Sequence, residues 1–238
     1  YNGLRNSHLT KLEEDAKNNN TYSNNPFNNK VVIIDEAHNF VSRIVNKIEK
    51  KRESISLKLY NHLMDAENCK IIFLTGTPMI NYPNELGVLF NMLRGYIKTF
   101  IFKINIDNNS KINEQYIRNA LKKTNIVDYC EYNYPHIHLT RNPFGFINIY
   151  GKSDMEYKGI KKSKRALIGD RVFKEKVIET LEKMKGVTVE KTNVKIKLNK
   201  ALPDTKEAFN NLFIEKDGSM KNENLFKKRI LGLTSYFK

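Results

Sequence analysis

The sequence predicts an α/β fold: a layer built on a parallel sheet over residues 1–97, then a mixed α+β region. Two apolar runs carry this reading. Val31-Val32-Ile33-Ile34 stops abruptly on Asp35 and Glu36, and Lys70-Ile71-Ile72-Phe73-Leu74 stops on Thr75-Gly76-Thr77-Pro78. Continuous apolar runs of this length suit strands buried on both faces of a parallel sheet. A third observation is the helical spacing of apolar residues between the runs, which supplies the crossover that parallel strands need.

Taken in order, residues 17–30 are dominated by Asn with Ser, Thr, Pro and Lys, and read as a surface loop before the first strand. After the carboxylates, Phe40, Val41, Ile44, Val45 and Ile48 fall on one helical stripe, and Ile55, Leu59, Leu63 and Met64 on the next. Asn84 is placed to cap a further helix with Leu86, Leu89, Phe90 and Leu93 on one side and Gly95 as its stop. From about residue 98 the clean alternation ends. Phe100-Ile101-Phe102 predicts a strand and Tyr116 to Leu121 a helix, followed by strands on either side of an Asn142-Pro143 turn. Val172, Phe173, Val177, Leu181 and Met184 predict a helix, and Val187 to Val189 with Val194 to Leu198 a hairpin. Pro203 opens a helix through Phe209, Leu212 and Phe213 that Asp217-Gly218 closes, and a last helix runs from Asn224 through Phe226, Ile230 and Leu233.

Forty per cent hydrophobic content over 238 residues is enough for a packed core and excludes a disordered chain. Lys plus Arg number 41 against 26 Asp plus Glu, and the resulting +15 favours polyanions such as nucleic acid or an anionic membrane surface. Two cysteines, Cys69 and Cys130, are too few for a disulfide framework, which points to a reducing intracellular compartment and to packing thiols. No apolar run is long enough to span a bilayer as a helix, and the first residues given do not show a signal-peptide pattern.

The chemistry lies at the strand ends, because ligands of parallel sheets bind beyond the carboxyl ends of their strands. An aspartate there can hold Mg²⁺, through water since that ion dehydrates reluctantly, and an adjacent glutamate can orient or deprotonate an attacking water. Asp35-Glu36-Ala37-His38 followed by Leu74-Thr75-Gly76-Thr77-Pro78-Met79-Ile80-Asn81 resembles the Walker B (DEAH) motif and third motif of superfamily 2 helicases and translocases. The TGTP form is most similar to Swi/Snf-type ATPases and to the helicase-like NTPases of large DNA viruses, such as poxvirus nucleoside triphosphatase I.

The resemblance implies the C-terminal half of a RecA-like P-loop NTPase lobe that uses ATP and Mg²⁺, with DNA a more fitting partner than RNA. In it Asp35 coordinates Mg²⁺, Glu36 is the catalytic base, and His38 links the nucleotide site to the third motif or the other lobe. Thr75, Gly76, Thr77 and Pro78 couple hydrolysis to movement along nucleic acid. It implies an intracellular, viral, transcription-associated helicase with further helicase lobes in the same polypeptide. The Gly-x-x-x-x-Gly-Lys-Ser/Thr phosphate loop does not occur in the sequence, and Arg229 lacks the context of an arginine motif. The expectation is therefore an internal piece, inactive alone: a partial first lobe at 1–97, an insertion at 98–222 and a lead-in to a second lobe at 223–238. Arg141, in Leu139-Thr140-Arg141-Asn142, sits where Swi/Snf-type proteins carry an Arg-rich segment. Lys158, Lys161, Lys162, Lys164 and Arg165 beside Tyr157 are candidates for a phosphate backbone. Two rivals stay open: the motor subunit of a restriction endonuclease, and a non-catalytic basic nucleic-acid-binding module.

Overall fold

The computed structural model describes residues 5–18, 25–50, 53–108, 112–151 and 156–235. In chain order the first elements are α1 (Asn6–Asn18), β1 (Val31–Asp35), α2 (Ala37–Glu49), α3 (Ile55–Asp65), β2 (Lys70–Leu74), α4 (Asn84–Arg94) and β3 (Tyr96–Ile106). They are followed by α5 (Glu114–Lys122), β4 (Val127–Asn133), β5 (His136–Arg141), β6 (Phe146–Tyr150), β7 (Tyr157–Lys162) and α6 (Asp170–Glu182). The last are β8 (Val187–Val189), β9 (Lys195–Lys200), α7 (Lys206–Phe213) and α8 (Glu223–Ile230). The chain is mixed α/β, with parallel and antiparallel sheets, and divides into two compact units. The first comprises residues 1–96, 200–223 and 232–238, the second 97–199 and 224–231.

In the first unit β1 and β2 pair in parallel, from Val31 opposite Lys70 to Asp35 opposite Leu74. The stripes of α2, α3 and α4 bury Phe40, Val41, Ile44, Leu59, Tyr60, Leu63, Val88 and Phe90. The strand itself corrects the expectation of burial on both faces. Val31 and Ile33 are each 63% exposed, while the alternate Val32 and Ile34 are half-covered, which is the pattern of a sheet covered on one side.

Residues 200–213 belong with this unit, not with the inserted region to which the sequence division assigns them. A paired amide explains part of this: the Asn91 side chain donates to the Leu202 carbonyl and accepts its N–H, both at 2.8 Å. Gly87 permits the approach, since a Cβ there would stand 2.1 Å from the Pro203 carbonyl oxygen. Asn84 is not the cap of α4. It is the first helical residue, fully buried, and donates to the Asp204 carbonyl at 3.0 Å, while Pro83 takes the cap position. Likewise α7 starts at Lys206 under a Thr205 cap that accepts the Ala208 N–H, and Asp217-Gly218 lies in a later turn. Helix α1 has no counterpart in the sequence reading, because Leu9 alone of it is buried and no apolar stripe marks it.

The second unit holds a five-stranded sheet in the order β4-β5-β3-β8, with β9 also on β3. Phe100, Phe102 and Ile104 of β3 meet Ile117 and Leu121 of α5 and Phe173, Val177 and Leu181 of α6 in one apolar cluster. The expected hairpin of residues 187–198 does not form, because β8 and β9 each pair with β3. Strands β6 and β7 make a separate antiparallel pair. Helix α8 is tied in by a buried ion pair, the Arg229 Nε standing 2.9 Å from the Asp128 Oδ2, and the Arg229 Nη2 donates to the Thr140 hydroxyl at 3.1 Å. Arg229 is thus a structural cation.

Candidate nucleotide site at the strand ends

Parallel register places the ends of β1 and β2 side by side, so Asp35 and Thr75 become neighbours although they are far apart in the chain. The chain leaves β1 through Glu36, which caps α2 in a left-handed conformation at φ 48° and ψ 48°. For a non-glycine residue this costs about 1–3 kcal/mol and persists only where the surroundings impose it. The compensation is local: the Glu36 N–H donates to Asp35 Oδ1 at 2.9 Å, and the Glu36 carbonyl takes the Asn39 N–H at 3.0 Å. One turn brings both carboxylates to the surface at a strand end and starts a helix whose Ala37, Phe40 and Val41 are buried.

His38 sits on the first turn of α2 and bridges the two strand ends. Its Nδ1 lies 2.8 Å from the Thr75 hydroxyl, 3.4 Å from that of Thr77 and 3.3 Å from Glu36 Oε2. One ring nitrogen therefore faces two hydroxyls and a carboxylate, and its tautomer decides which of them it serves as donor. The Thr77 N–H returns to the Thr75 hydroxyl at 3.2 Å, which closes the turn around Gly76.

Two residues of this neighbourhood escaped the sequence reading. Glu85 is buried and its carboxylate accepts the N–H groups of Ile80 and Asn81 at 2.6 and 3.1 Å, so it holds the segment after Pro78. The Asn81 side chain donates to the Ser42 hydroxyl at 3.0 Å and so ties the same segment to α2. An acid in the first turn of a helix was the available signal for Glu85. Nothing in the sequence marks Ser42.

Could these residues hold a divalent ion and a nucleotide? Among the described residues no three His, Cys, Asp or Glu side chains gather as a metal cage. Two neighbouring carboxylates at a strand end fit a hard ion bound by one or two carboxylates, with waters and phosphate oxygens completing the shell. Asp35 keeps one oxygen on the Glu36 N–H, and Glu36 keeps its side chain 65% exposed. The donor set suits Mg²⁺; a phosphate cradle is not among these residues.

The basic candidates fall into two groups, engaged and open. In Leu139-Thr140-Arg141-Asn142, three residues are buried in the second unit. Arg141 itself donates to the Ile168 carbonyl at 2.7 Å and lies 3.5 Å from Asp170. Lys158 pairs with Glu156. Lys161, Lys162, Lys164 and Arg165 are exposed, with no ion-pair partner among the described residues. His136 and His138, which share a strand face, form no metal group among the described residues. Of the closing segment, Tyr236 and Phe237 lie outside the described residues, as do positions 19–24 of the Asn-rich stretch. No described helix is long and apolar enough to cross a membrane.

No family model and no solved structure matches the chain. Curated proteins do. A protein named termination factor NPH-I homolog, from African swine fever virus, is 37% identical over 98 residues, covering 38% of this chain and 14% of that protein. A protein of Acanthamoeba polyphaga mimivirus assigned by name as an ATP-dependent RNA helicase is 38% identical over 66 residues, 26% of this chain and 8% of its own length. Nucleoside triphosphatase I of Melanoplus sanguinipes entomopoxvirus is 31% identical over 100 residues, 41% of this chain and 15% of its own. The chain thus spans about one seventh of the length of the first of these relatives. Over the matched stretches, this chain is similar to viral proteins named as a termination factor, an ATP-dependent RNA helicase and a nucleoside triphosphatase.

Proposed function

We propose that the first unit carries the water- and metal-handling half of an ATP site in a RecA-like lobe, and that the whole protein is an ATP-dependent, transcription-associated helicase or translocase. One observation carries the reading: His38 joins the carboxylate end of β1 to the threonine end of β2, at 2.8 Å from Thr75. A carboxylate pair on one strand end and a hydroxyl turn on the next, cross-linked by a histidine, is an arrangement able to relay a change at phosphate to a neighbouring segment. The names of the viral relatives support the nucleotide and nucleic-acid parts. The open face of β1, with Val31 and Ile33 exposed, supports a sheet that takes a further covering layer.

In this reading Asp35, one of whose carboxylate oxygens accepts the Glu36 N–H, would hold Mg²⁺. Bound Mg²⁺ supplies neutralisation of the charge that builds on the phosphates during transfer. Glu36, kept exposed by its left-handed turn, orients the attacking water and takes its proton. His38 senses that carboxylate at 3.3 Å and passes the change to Thr75 and Thr77. Glu85 keeps the segment behind them from drifting. The exposed lysines of the second unit meet nucleic acid.

The test is Glu36→Gln in the full-length gene product. Turnover of ATP should fall about 10²- to 10⁴-fold, the usual yield of a general base, while nucleotide affinity is retained. Normal turnover would remove Glu36 from the role.

A further inference from the structure

The turn between β5 and β6 presents an aromatic ring in a setting that the nucleotide site does not use. Phe144 is 61% exposed, yet its backbone is held firmly. The Phe146 N–H donates to the Pro143 carbonyl at 3.0 Å, the Gly145 N–H to Ala166 at 3.2 Å, and the Ser163 N–H to Gly145 at 2.8 Å. These bonds lock the turn against the short 3-10 turn Lys164–Ala166. Gly145 sits at φ 83°, and a Cβ there would come 3.3 Å from Leu167 Cδ2, so glycine leaves the floor open. Leu167 is itself 55% exposed.

Together Phe144, Phe146 and Leu167 floor a cleft of about 360 Å³ with Lys162, Ser163 and Lys164 at its rim. The Arg141 guanidinium lies 6.0 Å from the Phe144 ring centroid. No described carboxylate pairs with Lys162, Lys164 or Arg165. A preformed apolar floor bounded by unneutralised cations has two unmet demands, cover for the ring and counter-charge for the amines. An unstacked nucleobase with its flanking phosphates meets both, since every base offers a π-face and every linkage a negative charge. A duplex keeps its bases stacked and meets only the second.

We propose that this cleft binds single-stranded nucleic acid, with one base stacked on Phe144 and the adjoining phosphates on Lys162 and Lys164. The proposal rests on the nucleic-acid part of the reading above and is independent of ATP hydrolysis. Lys161, next in sequence, points to the opposite face of β7 and lies outside the cleft.

The chain contains no tryptophan, so Phe144→Trp places a lone indole at the site. The 238-residue protein is titrated, without nucleotide, with oligothymidylate, oligouridylate, a blunt DNA duplex and phosphatidylserine vesicles. Indole quenching by either single strand is expected, the stronger responder naming DNA or RNA. Phe144→Ala should weaken single-strand binding about 5- to 100-fold and leave duplex affinity within about twofold. Lys162→Ala with Lys164→Ala should lower the dependence of log affinity on log salt by about 1.4, and Lys161→Ala by clearly less. Unchanged indole emission at saturating oligonucleotide, equal losses on single strand and duplex, or a response to vesicles alone would each overturn the proposal. Because no ATP is present, failure here is distinct from failure of the Glu36 test.

Discussion

The two units use their sheets in opposite ways. In the second, β3 lies within a five-stranded sheet and buries Phe100, Phe102 and Ile104 to 1% exposure or less. In the first, β1 pairs with β2 and leaves Val31, Ile33 and Leu74 more than half exposed, the burial coming instead from α2, α3 and α4. One sheet is the core of its unit. The other is a half-covered rail, and the burial in its unit lies in the helices.

The largest expected effect follows from that contrast. Phe102→Ala should cost about 3–5 kcal/mol, as for other buried phenylalanines, whereas Ile33→Ala should stay within about 0.5 kcal/mol. Denaturant unfolding followed by amide exchange resolves the two units; comparable losses for both variants would break the contrast. Gly87→Ala comes next. Alanine normally strengthens a helix, but here its methyl would meet the Pro203 carbonyl, so a loss of about 1–3 kcal/mol confined to amides of the first unit is expected. A stabilised variant would mean that residues 200–205 do not lie against α4.

The smallest effect concerns thiol reactivity. Burial pushes the Cys130 thiol up to about 11, against the nearby Arg118 that pulls it down, while Cys69 is raised by burial alone. A raised pKa keeps the thiol protonated, so at pH 8 the Cys130 thiolate is about 100-fold scarcer than for a thiol of pKa 9.0, and it returns as pH rises toward 11. Iodoacetamide labelling followed by mass spectrometry should find Cys130 slower than Cys69 at pH 8, and both fast in urea. Equal rates in the folded protein would show that the β4 position is open to solvent.

Much of this architecture is legible in local pattern. The apolar runs ending at Asp35 and Leu74 are strands, and the stripes through Phe40 and Leu59 are helices, because period two and period 3.6 are backbone properties that side-chain spacing must follow. The motif residues Asp35 and Thr75 stand at strand ends for the same reason, since the apolar runs that precede them are the strands. Partner choice is a different matter. Asn84 has the composition of a cap but spends its amide on Asp204, 120 residues away, and β8 and β9 alternate like a hairpin yet each joins β3. Helix α1, with a single buried side chain, leaves almost no periodic signal to read.

The sequence by itself therefore determined which segments are strands and helices, which residue types stand at the ends of β1 and β2, and that the surface is strongly basic. The tertiary structure decided the rest. It set the register that puts His38 against Thr75, the grouping of residues 200–213 with the first unit, and the division of the basic cluster into paired and open cations. The physical reason is range. Local periodicity is set by sterics over a few residues, whereas register, amide pairing and ion pairing between distant segments exist only once the chain has closed its long loops and burial has chosen among them.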